Sequence, residues 1–253
     1  MNQKTKYLAL SAAVTFAVAM MGTGVAQAAD AAPTAKPDNE ISFNAAVTSD
    51  YRYRAISQTR LKPALQGGAD WVNNPTGFYA GVWGSTIKWI KDAGGDASTE
   101  IDVYGGKRGE IAPGVSYDVG VLAYLYPSND LNPSANTREL YAQVGYGPAT
   151  LKYSHSLSNL FGFADSKHST YVDASVNQEI ANGFVLNLHL GHQTVKNNGA
   201  YSYTDWKVGV TKDLGLATVA LAYIDTNTSN YLAPTNGKNL GKAGLVLTVS
   251  KTF

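Results

Sequence analysis

The chain has 253 residues, among them 20 basic and 19 acidic side chains, 16 tyrosines, 25 glycines and no cysteine. A near-neutral balance without a basic cluster argues against a nucleic-acid binder, and the lack of cysteine removes lipoprotein anchoring, disulfides and thiolate chemistry. Mean hydropathy is −0.16, and beyond the N-terminal segment no apolar run is long enough for a membrane-spanning helix.

Residues 1–28 have the form of a secretory signal peptide: Lys4 and Lys6, an apolar stretch from Leu8 to Met20, then Ala26-Gln27-Ala28 as a small-x-small cleavage site. Residues 29–40, Ala- and Pro-rich, are expected to be a flexible N-terminal arm. From Ile41 to Phe253 the pattern turns to period-two alternation, the signature of strands with one apolar and one polar face. In the first strand Phe43, Ala45 and Val47 alternate with Asn44, Ala46 and Thr48, and the alternation continues through Tyr51 and Tyr53 against Asp50, Arg52 and Arg54. Further on, Leu140, Ala142, Val144 and Tyr146 form one face, as do Phe184, Leu186, Leu188 and Leu190, and Trp206, Val208 and Val210.

Twelve such runs are expected, near 42–54, 63–73, 76–86, 98–109, 114–126, 137–147, 149–158, 169–181, 183–194, 202–212, 216–226 and 241–253. Ten is the alternative if 63–73 or 216–226 pairs differently. Short connections through Asn74-Pro75, Pro113-Gly114, Gly147-Pro148, Asn182-Gly183 and Asp213-Leu214-Gly215 have tight-turn chemistry. Between them come longer polar connections: 55–62, 87–97, 127–136, 159–168, 195–201 and 227–240. This short–long rhythm predicts an all-β, transmembrane, antiparallel up-and-down barrel with periplasmic termini and extracellular loops, rather than a soluble sandwich. Phe253, at period two with Leu245, Leu247 and Val249, has the form of a C-terminal assembly signal. It implies periplasmic chaperones and the barrel-assembly machinery as partners in biogenesis, with outer-membrane lipid as the final surroundings.

Several longer words follow one another in order: SDYRYRAISQT (49–59), KPALQGGADW (62–71), GFYAGVWGS (77–85), EIDVYGG (100–106), ELYAQVGYGPATLKYSHS (139–156), SYTDWKVGVTKDLG (202–215) and LVLTVSKTF (245–253). In these the chain resembles the TorF family of outer-membrane barrels, proteins regarded as porins and otherwise of unknown function. The resemblance implies a barrel and a channel but supplies no solute. One departure stands out, Arg54-Ala55 where the family tends to have Arg-Gly.

A twelve-stranded barrel has a backbone diameter of roughly 24 Å, which leaves a bore of roughly 10 Å or less once inward side chains are subtracted. With the apolar set facing lipid, the lumen receives Asp50, Arg52, Arg54, Asp70, Glu100, Asp102, Asp118, Glu139, Lys152, Asp173, Asn177, Glu179, His189, Asp205 and Lys207. This set permits a mildly cation-preferring pore for small hydrophilic solutes, or a bore partly filled by ion pairs between those acids and Arg52, Arg54, Lys152 and Lys207. Tyr51, Tyr53, Trp71, Phe78, Tyr153 and Trp206 read as an interface girdle; the alternative is a sugar-stacking slide, with Trp83 and Trp89 its best candidates. An enzyme is not expected. Ser154 and Ser156 point away from His155, no nucleophile elbow is present, and His189 and His192 lack metal-pair spacing. Neither a metal nor a cofactor is implied. The remaining class is a non-conducting barrel with a structural or surface-interaction role.

Overall fold

The computed structural model describes residues 37–253; the expected signal peptide and most of the expected arm lie outside the described residues. The strands in chain order are β1 (Asn39–Thr48), β2 (Arg52–Tyr53), β3 (Ile56–Ser57), β4 (Ala64–Asn73), β5 (Phe78–Thr86), β6 (Thr99–Ala112), β7 (Val115–Leu125) and β8 (Thr137–Tyr146). They continue with β9 (Ala149–Ser156), β10 (Thr170–Ala181), β11 (Phe184–Thr194), β12 (Tyr203–Asp213), β13 (Thr218–Thr226) and β14 (Gly244–Thr252). A one-turn helix α1 (Trp89–Asp92) interrupts the connection between β5 and β6.

Twelve of these strands form a closed antiparallel barrel in which each pairs with its sequence neighbour, and β1 closes the ring by pairing with both β4 and β14. Closure is what lipid demands, since an open edge would leave backbone donors and acceptors unpaired in hydrocarbon. The alternative of ten strands is ruled out, because both doubtful segments, β4 and β13, are full members of the ring. At Asn182-Gly183 both residues have positive φ, 51° and 73°, which is the geometry of a two-residue hairpin turn matched to strand twist.

The side-chain alternation divides inside from outside as expected. Phe43, Val47, Val103, Val121, Leu140, Val144, Leu190, Val208, Leu221 and Leu247 are exposed on the outer wall, while Glu100, Asp102, Glu139, Asn187 and Asp205 are buried inside. Apolar residues outward and polar residues inward is the reverse of a soluble protein, and it fits a barrel wall immersed in lipid. Trp71, Phe78, Tyr153 and Trp206 are exposed on that wall, as a girdle requires.

Three expectations are corrected. Strand β1 begins at Asn39, so Asn39 and Glu40 belong to the barrel rather than to the arm, and Asn39 pairs with Asn73. At its other end β1 stops at Thr48, not at 54. Tyr51 and Tyr53 are inside the barrel, not in the girdle: Tyr51 is buried against Trp83, ring centroids 5.5 Å apart, and Tyr53 packs on Tyr124 at 5.3 Å.

Candidate functional site: the throat of the barrel

The physical reason that β1 ends early is that the chain leaves the wall and crosses the bore. Residues 49–63 turn inward, and β2 and β3 form a miniature hairpin with Arg52 opposite Ser57 and Tyr53 opposite Ile56. Its tip is Arg54-Ala55, both at positive φ (44° and 65°), a turn that glycine would adopt without strain. Alanine is accommodated here because its methyl is buried with Ala222, Ile224 and Val246. Burying one methyl contributes about 0.8 kcal/mol, which offsets much of the roughly 1–2 kcal/mol cost of a left-handed L-residue.

The hairpin is anchored at both ends. At its base Asp50 accepts from Arg52 Nε at 2.8 Å and from the Ser57 hydroxyl at 2.5 Å, and Arg52 also donates to the Lys242 carbonyl at 2.7 Å. At the tip, Arg54 donates to Glu139 Oε2 on β8 at 2.7 Å and to Gln193 Oε1 on β11 at 2.6 Å. Its guanidinium lies 4.3 Å from the ring centroid of Tyr171 on β10, and the Tyr203 hydroxyl of β12 donates to its carbonyl at 2.9 Å. Strands β8 to β12 stand across the ring from β1. The hairpin therefore spans the bore near its loop-side mouth, level with the first residues of β8 and β10.

Beneath it lies a chamber of about 140 Å³, and above it a vestibule of about 470 Å³ between the long loops. Tyr53 lines both. The chamber wall carries Arg52, Arg54, Lys152, His189 and Lys207 together with Glu139, Asp173 and Asp205. The vestibule is bounded by Trp89, Tyr126, Phe161, Phe163, Tyr201 and Tyr231, and by Leu131, Leu160 and Leu240. Loop-to-loop hydrogen bonds frame it, including Asn198 to the Ala164 carbonyl at 2.8 Å and Tyr231 to the Tyr201 carbonyl at 2.8 Å.

The carboxylates expected to form an acidic ring are largely engaged. Glu100 accepts from Tyr51 at 2.6 Å, Asp70 from Tyr104 at 2.6 Å and Asp118 from Tyr79 at 2.6 Å. Burial above all, then the neighbouring Glu100 and Asp102, hold the Tyr51 phenol well above its usual range, so it remains a donor. The two Asp102 oxygens are buried with no hydrogen-bond partner among the described residues. Glu179 is exposed near the turn-side end of β10, outside the chamber. Lys152 lies 4.4 Å from the centre of the Tyr141 ring. Inward tyrosines thus thicken the β5–β8 wall, and glycines make room for them: a Cβ on Gly81 or Gly106 would collide with Tyr104 or Tyr79.

Sequence reading missed the inward hairpin and a cluster around His189. The one available signal was that SDYRYRAISQT carries strand-like alternation past the length a strand needs. His189 sits between two carboxylates, Nδ1 2.9 Å from Asp173 and Nε2 2.7 Å from Asp205, with the Ser175 hydroxyl 3.3 Å from Nδ1. The grouping has the members of a Ser–His–Asp device but not its logic. Each ring nitrogen faces a carboxylate, Nδ1 Asp173 and Nε2 Asp205, and the Ser175 hydroxyl donates to Asp173 at 2.7 Å. Trp83 is buried in the interior cluster and offers no open ring face; Trp89 does line the vestibule.

A closed twelve-stranded antiparallel barrel, apolar outside and polar within, with a hairpin across its mouth, has the architecture of a transmembrane β-barrel. The chain belongs to the Gcw_chp family, bacterial proteins of unknown function, whose profile matches residues 31–253. No curated protein matches it. Among solved structures it is similar to the KdgM porin in complex with disordered oligogalacturonate, with a TM-score of 0.53 and 7% identity over 84% of this chain and 97% of that one. A membrane protein from a study of in-meso crystallisation gives a TM-score of 0.51 at 9% identity, covering 84% and 83%. OprD from Pseudomonas aeruginosa gives 0.38 at 12% identity, covering 84% and 66%. The first two likenesses establish the fold, a closed antiparallel β-barrel.

Proposed function

We propose that this protein is a narrow diffusion channel for small hydrophilic solutes, a porin of the kind the TorF resemblance implies, with the 49–63 hairpin as its constriction. The observation that carries the proposal is a charged chamber beneath the hairpin and an aromatic-walled vestibule above it between the loops, with Tyr53 lining both. Residues 1–28 act as the signal peptide for export, and Phe253 is read by the assembly machinery. The chain has no enzymatic role in this proposal, since the His189 cluster lacks a free base.

The chamber lining is mixed in charge: Arg54 is paired with Glu139, and Lys152, His189 and Lys207 share the wall with Asp173 and Asp205. The second reading is a barrel plugged by the hairpin, which its anchoring to both walls favours. Single-channel recording of the purified protein in a planar bilayer, under a salt gradient, separates the two. Discrete small conductance steps support the channel. A folded, unaltered barrel that conducts nothing overturns it, and current that appears only when the hairpin residues 52–57 are deleted marks the plugged barrel.

A further inference from the structure

Three of the four histidines avoid the lumen. His155 on β9 and His192 on β11 share the outward parity of Tyr153 and Leu190, and His168 precedes β10. The ladder continues past the strand ends: Leu157 N–H donates to the Arg138 carbonyl at 2.8 Å and His168 N–H to the Ser156 carbonyl at 3.0 Å. Arg138, Leu157 and His168 therefore form one outward row across three neighbouring segments, with His155 one step below, opposite Leu140 and Thr170. His155 Nε2 is 3.0 Å from His168 Nδ1, and His155 Nδ1 is 3.2 Å from the Tyr153 hydroxyl. Arg138 and His168 are exposed, and among the described residues no carboxylate forms an ion pair with Arg138, His155 or His168.

The height of this row on the wall fixes what it meets. Directly below are the apolar band residues Leu140 and Val172 and the interfacial ring of Tyr153, all exposed. An outward residue one step beyond an aromatic girdle lies at headgroup level, on the long-loop side, which faces the outer leaflet. We propose that Arg138, His155 and His168 form a binding site for the phosphate groups of an outer-leaflet glycolipid. A guanidinium presents paired donors that match phosphate oxygens. The two imidazoles face each other across one hydrogen bond, and an imidazole N–H is a donor to a phosphate oxygen. Leu157, 41% exposed between Arg138 and His168, supplies an apolar step for the adjoining acyl chains.

The test uses detergent-purified protein, with lipopolysaccharide, dephosphorylated lipopolysaccharide and inorganic phosphate as probes in a titration such as thermophoresis. Intact lipopolysaccharide is expected to bind at least tenfold more tightly than the dephosphorylated form. The triple variant Arg138→Gln, His155→Gln, His168→Gln, checked for folding by its heat-dependent gel shift, is expected to lose that difference. Equal binding of both lipids to the unaltered protein overturns the site without relying on any variant. Full competition by millimolar inorganic phosphate also overturns it, because the ligand would then be a free anion and not a lipid.

Discussion

Replacing Arg54 by alanine removes the bond that holds the hairpin against the far wall. Three contacts go together: the 2.7 Å ion pair with Glu139, the 2.6 Å bond to Gln193 and the cation–π contact at 4.3 Å with Tyr171. Side-chain exposure is 7% for Arg54 and 3% for Glu139, so the pair is sheltered from solvent screening. Breaking a buried pair from one side costs about 3–5 kcal/mol, because Glu139 keeps its charge and loses its guanidinium partner, though it still accepts from the Tyr124 hydroxyl at 3.3 Å. Arg54→Ala is therefore expected to lower stability by about 3 kcal/mol in urea unfolding, followed by loss of the folded gel band. The double variant with Glu139→Ala should recover part of that loss, since no orphaned carboxylate remains. In a planar bilayer the single variant should conduct more than the unaltered channel and with greater current noise, as the hairpin tip loses its tether. Unchanged conductance together with a stability change under about 0.5 kcal/mol would show that Arg54 does not fasten the constriction.

Val208 lies at the middle of β12 with its side chain exposed on the outer wall, so Val208→Arg should cost about 2–4 kcal/mol on refolding into lipid vesicles. Thr150→Arg, on the chamber side of β9, should cost far less; similar losses from both would mean the two faces are misassigned. At the hairpin tip Ala55→Gly should shift stability by less than about 1 kcal/mol, because relieved strain and lost methyl burial oppose each other. Ala55→Val, β-branched at positive φ, should destabilise by about 2 kcal/mol or more in the same unfolding assay. Phe253 exchanges two backbone hydrogen bonds with Phe43 at the barrel seam and leaves its ring 69% exposed. Phe253→Ala should thus barely alter unfolding in vitro while sharply reducing the assembled fraction in cells, measured by membrane fractionation.

Strand number, faces and turns were legible in the sequence, because each depends on residues close together in the chain. Period-two alternation records which wall a side chain meets, and Asn182-Gly183 or Gly147-Pro148 records where the chain reverses. The outward placement of Leu140, Val144 and Leu190 followed from that pattern alone, as did the inward placement of Lys152, Asp173 and Asp205. The throat was not legible in the same way. Alternation through Tyr51, Arg52, Tyr53 and Arg54 reads as a continuing strand, and local propensity cannot tell a strand in the wall from a hairpin inside it. What decides is a partner 85 residues away, Glu139, and another 139 residues away, Gln193, brought opposite Arg54 only when the ring closes. The same holds for the lumenal charges. Sequence fixed their side of the wall, but whether Asp70, Glu100 and Asp118 face water or a tyrosine hydroxyl depends on the register of neighbouring strands. Charge and polarity are properties of the chain; which charges remain available to a solute is a property of the closed barrel.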